Sequence, residues 1–376
     1  MHARRSVERP ASRRPAPQAP ARTPGTGVGA GDATGGGTGG DPGYRLSRRG
    51  LLAGGAAAAL LAGCASPFSM IEAENGFPPI GEFVDVGGLR MHLWRTTPQD
   101  PAAAARIPAV LIHGASGNLR DFTFSIAQRI AERRPVIAVD RPGFGYSDRP
   151  EDGWQLRTQA RLIREAVARV GVERSLVVGH SFGAAVTMAW AADAPETVAG
   201  IVPVSGVTIP YGGVGRVFSA LGLTGVVTWA YTEYLKSIAE EGGIERFLAR
   251  VFRPQPVPVG YAGYVGAPLA LRQSTLDANR DDLQYVNGEL RGLAPRYPAI
   301  QVPAEIIHGT ADFIDVDRQS AVLATRLPRA RLTLLPGVGH MAHHVGADML
   351  VAALERLDPP APPPADAPPA DPVDPA

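Results

Sequence analysis

Short apolar runs recur along the middle of the chain and predict the strands of a buried sheet. Residues 83–86 and 89–94 alternate between apolar and polar side chains around Gly87-Gly88, which predicts a β-hairpin. Six further runs are mostly β-branched and do not alternate, as is typical of strands buried on both faces: residues 109–112, 136–139, 176–178, 201–204, 304–307 and 332–335. Amphipathic stretches separate these runs, at residues 119–131, 156–170, 182–193, 316–327 and 345–357. The alternation predicts an α/β fold with a mostly parallel sheet flanked by helices.

One interval, residues 206–300, interrupts this alternation. It contains helical stretches and proline breaks but no clear series of strands. We therefore expect a helical lid, inserted between a first part of the core at residues 81–205 and a second part at residues 301–357. The interval also holds seven of the nine tyrosines, whose apolar rings and polar hydroxyls suit an amphipathic or aromatic substrate pocket. For any single tyrosine, packing of the lid on the core is the more common role.

The two ends of the chain lack the apolar residues that a core needs. Residues 1–43 are mainly Arg, Pro, Gly, Ala and Thr, and residues 358–376 are mainly Pro, Ala and Asp. Both ends are therefore predicted to be disordered. Between the leader and the core, residues 44–64 have the parts of an export signal, and the proline-containing residues 65–80 are predicted to be a tether.

The export signal resembles that of a bacterial lipoprotein. Arg48-Arg49 resembles a twin-arginine motif, and Leu61-Ala62-Gly63-Cys64 resembles a lipobox. The resemblance implies that Cys64 is lipidated and becomes the new N-terminus, which would anchor the protein in the cell envelope, facing the periplasm or the exterior. The alternative is an Ala-rich signal that is cleaved elsewhere, with Cys64 incidental.

Composition excludes several classes of protein. The formal net charge of +1 gives no sign of a nucleic-acid partner. The single cysteine excludes an internal disulfide framework and a multi-cysteine metal site. No metal-ligand constellation is visible, and we expect no cofactor.

The sequence Gly179-His180-Ser181-Phe182-Gly183 carries the clearest chemical signal. It follows a predicted strand and precedes a predicted helix, which is the context of a nucleophile elbow. In such an elbow the glycines remove side chains that would clash in the sharp turn, and the serine hydroxyl is exposed above the sheet. Ser181 is therefore the candidate nucleophile.

A serine hydroxyl needs a base, and the base needs an acid that orients it. His340, in a glycine-rich loop after the last strand, is the candidate base; His343 and His344, one turn on, are weaker alternatives. Asp312, just past the end of the preceding strand, is the candidate acid.

Other residues near these candidates have structural explanations. Asp315 and Asp317 compete with Asp312, but they stand closer to the following helix, where aspartate favours capping. His308, at the end of a strand, is expected to be structural. The order Ser, Asp, His is the one found in α/β-hydrolases.

Two further motifs complete the pattern, at residues 112–118 and 140–148. With the elbow and the His340 loop, they make residues 83–357 resemble the lidded α/β-hydrolases, a group that includes serine esterases, lipases, carbon–carbon bond hydrolases and cofactor-free haloperoxidase-like enzymes. The resemblance implies that the backbone N–H groups of Ala115 and Phe182 form an oxyanion hole. It leaves His113 and Asp140 with structural roles.

The identity of the nucleophile narrows the chemistry. Relatives that open epoxides or remove halides carry Asp at the elbow, so Ser181 disfavours those reactions. The leading expectation is hydrolysis of a small-molecule carboxylic ester through an acyl-enzyme. The alternatives are a carbon–carbon bond hydrolase, which uses the same triad, and a non-catalytic, lipid-anchored binding module. The sequence does not determine the oligomeric state.

Overall fold

The computed structural model describes residues 70–211, 224–237 and 242–358. The predicted leader, the export signal with Cys64 and almost all of the predicted C-terminal tail lie outside these residues.

The described strands form one eight-stranded sheet in the order β1-β2-β4-β3-β5-β6-β7-β8. The strands are β1 (Glu82–Val86), β2 (Leu89–Thr96), β3 (Ala109–Ile112), β4 (Val136–Val139), β5 (Ser175–His180), β6 (Val198–Val204), β7 (Ala304–Gly309) and β8 (Ala330–Leu335). The first hairpin pairs antiparallel with itself and with β4, and all later neighbours are parallel. The predicted hairpin and the mostly parallel sheet are therefore confirmed.

Helices cover both faces of the sheet. In chain order they are α1 (Met70–Gly76), α2 (Pro101–Ala104), α3 (Arg120–Thr123), α4 (Ile126–Ala131), α5 (Leu156–Arg169), α6 (Phe182–Asp193), α7 (Thr224–Ser237), α8 (Gly243–Phe252), α9 (Tyr261–Tyr264), α10 (Ala267–Ala270), α11 (Gln273–Leu293), α12 (Ser320–Arg326), α13 (Ala342–Val345) and α14 (Ala347–Leu357). Short 3₁₀ turns at Pro195–Thr197 and Ala294–Ala299 follow α6 and α11.

Successive residues of the central strands point to opposite faces of the sheet and pack in two separate apolar layers. On β3, Val110 and Ile112 pack in a layer with α5, α6, α11 and α12, while Ala109 and Leu111 pack in a layer with α4, α13 and α14. Burial of a Val, Leu or Ile side chain contributes about 1.5–3 kcal/mol. The non-alternating strand sequences are explained by this two-sided burial.

The sheet register brings four loops to one edge. Ile112 of β3 lies opposite Gly179 of β5, and Gly309 of β7 lies opposite Leu335 of β8. These pairs are at or next to the carboxyl ends of their strands, where an open α/β sheet presents its site.

Helices α7 to α11 lie between β6 and β7. We call the described residues 205–211, 224–237 and 242–303 the β6–β7 segment. It occupies the position of the predicted lid, and its described part contains no strand.

Three features differ from the sequence-based expectation. The helix predicted at residues 119–131 is interrupted between α3 and α4, and the one predicted at residues 345–357 is interrupted at Gly346, where a Cβ would collide with Leu335. The predicted tether at residues 65–80 contains α1, whose Ala73 is buried and whose Glu74 pairs with Arg272 at 2.8 Å. The later part of that stretch therefore belongs to the folded domain. Among the described helices, none combines the length and the apolar character needed to cross a bilayer.

Candidate active site

The nucleophile elbow forms where β5 turns into α6. Ser181 has φ 53° and ψ −115°, a conformation that costs a non-glycine residue about 1–3 kcal/mol. Backbone hydrogen bonds hold it: the Ser181 N–H donates to Val204 O at 2.9 Å, and the Val207 N–H donates to Ser181 O at 3.1 Å. A Cβ on Gly183 would collide with the carbonyl of Ile112. The close approach of the end of β3 to the start of α6 thus requires glycine at this position.

His340 lies within hydrogen-bond distance of the candidate nucleophile. Its Nε2 is 3.0 Å from Ser181 Oγ. The Nε2–H of His180 donates to the carbonyl of His340 at 3.0 Å, and the Phe313 ring lies 4.3 Å from the imidazole, centroid to centroid. Burial, together with His343 and His340, holds the pKa of His180 well below its usual range. His180 is therefore a neutral side chain that positions the backbone of the candidate base.

Asp312 binds the other side of the imidazole. Its two carboxylate oxygens lie 2.9 and 3.0 Å from His340 Nδ1. It also accepts a hydrogen bond from the Ile314 N–H at 2.8 Å and contacts His308 Nε2 at 3.1 Å. Burial alone would raise the pKa of Asp312, but the hydrogen bonds from His308 and His340 outweigh it and lower that pKa below its usual range. Asp312 is thus an ionised carboxylate that fixes Nε2 of His340 as the acceptor facing Ser181.

His308 has the structural role expected of it, and it also contacts the candidate acid Asp312. Its Nδ1 lies 2.6 Å from Ser320 Oγ, and its Nε2 is shared between Ile314 O and Asp312. The spacing of four residues between His308 and Asp312 across one strand end is the signal that was available.

The competing candidates bind elsewhere. His343 Nε2 and His344 Nε2 lie 3.0 and 2.8 Å from the two oxygens of Asp121. Asp315 accepts from the N–H groups of Asp317 and Arg318 in a local turn.

Asp140 has the role expected of it in a turn. It lies 2.6 Å from His92 Nδ1 and accepts from the N–H groups of Leu119 and Tyr146 at 2.7 and 2.9 Å. A Cβ on Gly145 would collide with the Asp140 carboxylate. This carboxylate therefore ties β2 to two loops and does not contact Ser181 or His340.

The fold also assembles a group of metal-ligand residue types that no sequence spacing indicated. Ligand atoms of Asp121, His180 and His343 lie within 4.8 Å of one another, and all three residues are buried. Burial alone would raise the pKa of Asp121, but its charge interaction with His343 and the hydrogen bonds from both histidines hold it well below its usual range. Tyr261 Oη also donates to Asp121, at 2.8 Å. Hydrogen bonds among these side chains satisfy the carboxylate, so we describe the group as a polar network next to the site.

The predicted oxyanion donors flank Ser181. Gly114, the residue before Ala115, lies so close that an added Cβ would be 3.0 Å from Ser181 Cβ. Phe182 is the first residue of α6, and the first N–H groups of a helix have no partner within the helix and favour negative charge. The structure thus places Gly114 next to Ser181 and Phe182 at the start of α6, and the role of Ala115 and Phe182 as oxyanion donors stays a prediction.

A cavity of about 330 Å³ opens above these residues, and Ser181 and His340 line it. Most of its other lining side chains are apolar and come from the β6–β7 segment, among them Leu235, Phe247, Leu248, Leu271 and Val286. Tyr211 and Tyr261 also line it, whereas Tyr297 is buried against Thr208 O and Tyr285 packs against Trp154. Two tyrosines thus fulfil the expected lining role, and two others have packing roles.

Comparison with known proteins identifies the family. A model described as the alpha/beta hydrolase family matches residues 109–353, well over half of the chain. The chain therefore belongs to the α/β-hydrolase family. With hydrolases among its relatives and structural neighbours, the protein is a hydrolase enzyme.

Individual relatives are distant. An uncharacterized protein of Mycobacterium tuberculosis is 26% identical over 297 residues, covering 74% of this chain and 81% of that protein. A 2-hydroxymuconate semialdehyde hydrolase of Pseudomonas putida is 26% identical over 298 residues, covering 76% and 97%. Among solved structures, a bacterial membrane phospholipase A is 23% identical with a TM-score of 0.57, covering 82% of this chain and 96% of that one. The structural likeness supports the fold.

Proposed function

We propose that the protein is a serine hydrolase that cleaves a carboxylic ester, or a related acyl substrate, through an acyl-enzyme. The observation that carries this proposal is the chain of hydrogen bonds Ser181–His340–Asp312 at the floor of the apolar cavity. Such a chain gives a serine hydroxyl a base at the moment of attack and gives that base an acid that stabilises its charged form.

The geometry supports a two-step reaction. His340 Nε2 takes the proton from Ser181 Oγ while the oxygen bonds to the acyl carbon, and the carbonyl oxygen becomes negatively charged. The N–H groups of Ala115 and Phe182 stabilise that charge. His340 then gives the proton to the leaving alcohol as the carbon–oxygen bond breaks, and a water molecule releases the acyl group from Ser181 by the same steps.

The lining of the cavity supports an uncharged, apolar acyl group. Among the described lining residues there is no Lys or Arg, and the charged one, Asp121, is already bonded to two histidines and a tyrosine. A substrate carboxylate in this cavity would find no cation to compensate for lost water. A second candidate, carbon–carbon bond hydrolysis, is favoured by the similarity to the Pseudomonas putida hydrolase. The apolar lining without a described Lys or Arg favours the ester of an uncharged acid as the substrate.

A fluorophosphonate probe and a substrate panel test both candidates. We expect the purified protein to be labelled, the Ser181→Ala variant to remain unlabelled, and p-nitrophenyl esters of apolar acids to be hydrolysed. A diketone substrate in the same panel tests carbon–carbon cleavage. Equal labelling of both proteins would refute the role of Ser181, absence of labelling in the unmodified protein would support a non-catalytic module, and activity on the diketone alone would refute the ester assignment.

We also propose that the enzyme is exported and anchored through a lipid on Cys64. The support is the sequence Leu61-Ala62-Gly63-Cys64 behind Arg48-Arg49. The Cys64→Ala variant should leave the membrane fraction, and unchanged retention would contradict the proposal.

A further inference from the structure

Helix α11 of the β6–β7 segment is bonded to the loop that carries Ala115. Asn279 Oδ1 accepts from the Ser116 N–H at 2.9 Å, and Ser116 has φ 54°, a left-handed conformation that serine rarely adopts. One turn further along the helix, Asp282 Oδ2 accepts from Arg141 Nη1 at 2.6 Å. The same guanidinium donates through Nη2 to the carbonyl of Gly114 at 3.2 Å. The residues on both sides of Ala115 are thus linked to one helix.

His113 supplies a second hydrogen bond to the Gly114 carbonyl, and its tautomer follows from its partners. The backbone N–H of Arg141 donates to His113 Nε2 at 3.0 Å, so Nε2 carries no proton. The proton is therefore on Nδ1, which lies 2.8 Å from Gly114 O and donates to it. Burial and the charge of Arg141 lower the pKa of His113 to about 4, which keeps the ring neutral at neutral pH.

The Gly114 carbonyl and the Ala115 N–H belong to one peptide unit. Because that unit is planar and trans, fixing the direction of the oxygen fixes the direction of the N–H. A positive group at the oxygen end also increases the partial charge on the N–H end. The two hydrogen bonds to Gly114 O therefore set both the aim and the strength of the predicted oxyanion donor.

Arg141 is itself held rigidly. Its side chain is fully buried, and its guanidinium lies 4.1 Å from the ring centroid of Phe144 and 4.4 Å from that of Phe182. Gln159 Oε1 accepts from Nη1 at 2.8 Å. Arg141 thus contacts the residue that carries the second predicted oxyanion donor as well as the peptide that carries the first.

We propose that Arg141 is a positioning residue for the oxyanion hole, held in place by Asp282, and that Asn279 supports the same loop from the other side. The β6–β7 segment then contributes to the chemical step as well as to the shape of the cavity. This inference rests on the proposed serine-hydrolase function.

Arg149 provides a matched control. It also pairs with Asp282, at 2.8 Å, but its other hydrogen bond goes to the carbonyl of Pro142, and not to the oxyanion loop. Arg141→Met and Arg149→Met each remove one arginine from the same carboxylate. Only Arg141→Met also removes a hydrogen-bond donor from the Gly114 carbonyl.

The test compares kcat, KM and the affinity for a boronic acid, which forms a tetrahedral, anionic adduct with a serine nucleophile. Active sites are counted by fluorophosphonate titration, so that loss of folded protein does not enter kcat. We expect Arg141→Met to lower kcat and boronate affinity about 30- to 100-fold with KM changed less than about threefold, since complete loss of one oxyanion donor costs about 10²–10³ in kcat. Arg149→Met should leave kcat and boronate affinity within about twofold.

Arg141→Lys covers the case in which Arg141→Met does not fold. A lysine keeps the charge but has no planar fork that reaches Gly114 and Asp282 together, so kcat should fall about 5- to 20-fold. If kcat and boronate affinity of the Arg141 variants equal those of Arg149→Met, Arg141 is structural only and the inference is wrong. Failure of the unmodified protein to label at Ser181 would instead refute the proposed function, and the inference with it.

Discussion

The carboxyl edge of the sheet and the β6–β7 segment line the same cavity, but different forces fix their side chains. At the sheet edge, Ser181, His340 and Asp312 are joined by hydrogen bonds of 2.9–3.0 Å. The apolar side chains that the segment contributes to the cavity, such as Leu248 and Val286, are held by packing, whereas its Asn279 and Asp282 hydrogen-bond toward the sheet edge. Hydrogen bonds are directional, and a change of one atom breaks them, whereas packing tolerates exchange of similar volumes. The sheet edge is therefore suited to keep the reaction the same, and the apolar lining from the segment is suited to accept side-chain exchanges that change which substrate binds.

Asp312→Asn should give the largest effect on the edge side. The carboxylate of Asp312 accepts hydrogen bonds from three groups: His340, His308 and the Ile314 N–H. An asparagine amide would direct its NH₂ group at one of these donors, which disfavours the imidazole tautomer needed at Ser181. We expect kcat on a p-nitrophenyl ester to fall about 10³–10⁴-fold, by analogy with the corresponding change in a serine protease.

Asp315→Asn is the control for this prediction. Asp315 accepts two backbone N–H groups in an exposed turn, a role that asparagine also fills. Its kcat should stay within about twofold. Comparable losses in both variants would show that the loop, and not the carboxylate, is responsible.

Leu248→Trp tests the segment side with a moderate effect. Leu248 is buried and lines the cavity, so the larger ring should shorten the space for the acyl chain. We expect kcat/KM for the longest accepted p-nitrophenyl ester to fall at least about 10-fold, equivalent to about 1.4 kcal/mol, with acetyl ester hydrolysis nearly unchanged. The fully exposed Val259 gives the matched control Val259→Trp, for which the chain-length profile should not move. A uniform loss across all chain lengths would mean that Leu248 supports the edge and not the cavity.

Acid affects the stability of the fold through the buried histidines, and not the chemical step. Burial lowers the pKa of both His113 and His343 to about 4, below the value of about 6.5 expected in the unfolded chain. The unfolded state therefore binds these protons first, and stability is lost as the pH falls from about 6.5 to about 4, by up to about 1.4 kcal/mol per pH unit for each histidine. Asp121 has a lowered pKa and adds its own loss below about pH 4. Urea unfolding between pH 7.5 and 4.5 measures the slope.

His343→Gln sharpens that measurement. Glutamine can still donate to Asp121 but does not titrate, so the slope between pH 6 and 4.5 should decrease by about one proton. An unchanged slope in this variant would show that His343 is already protonated in the folded protein.

The features that the sequence predicted are those tied to the backbone. The strands follow from apolar runs, and a parallel sheet brings the loops after β5, β7 and β8 to one edge, which is why Ser181, Asp312 and His340 could be named together. The features that it missed depend on side chains from distant loops. No pattern along the chain indicates that His343 turns toward Asp121 or that Arg141 reaches Asp282.

The helices of the β6–β7 segment were the elements that the sequence predicted least well. The helix α11 covers Gln273–Leu293, but its many polar residues interrupt the apolar stripe from which a helix of that length would be predicted. The helices α9 and α10 are four residues long, too short for a helical period to be visible.

Helix α1 packs beside α10 and is bonded to Arg272, next to the helices that line the cavity. Only five residues separate Cys64 from the start of α1, and a fully extended chain of that length spans at most about 22 Å. An acyl group on Cys64 would thus keep the domain within a short distance of the membrane, with the helices that line the cavity close to the bilayer. Esters dissolved in the lipid would then be encountered by diffusion in two dimensions, and the working concentration would be set by the membrane and not by the surrounding water.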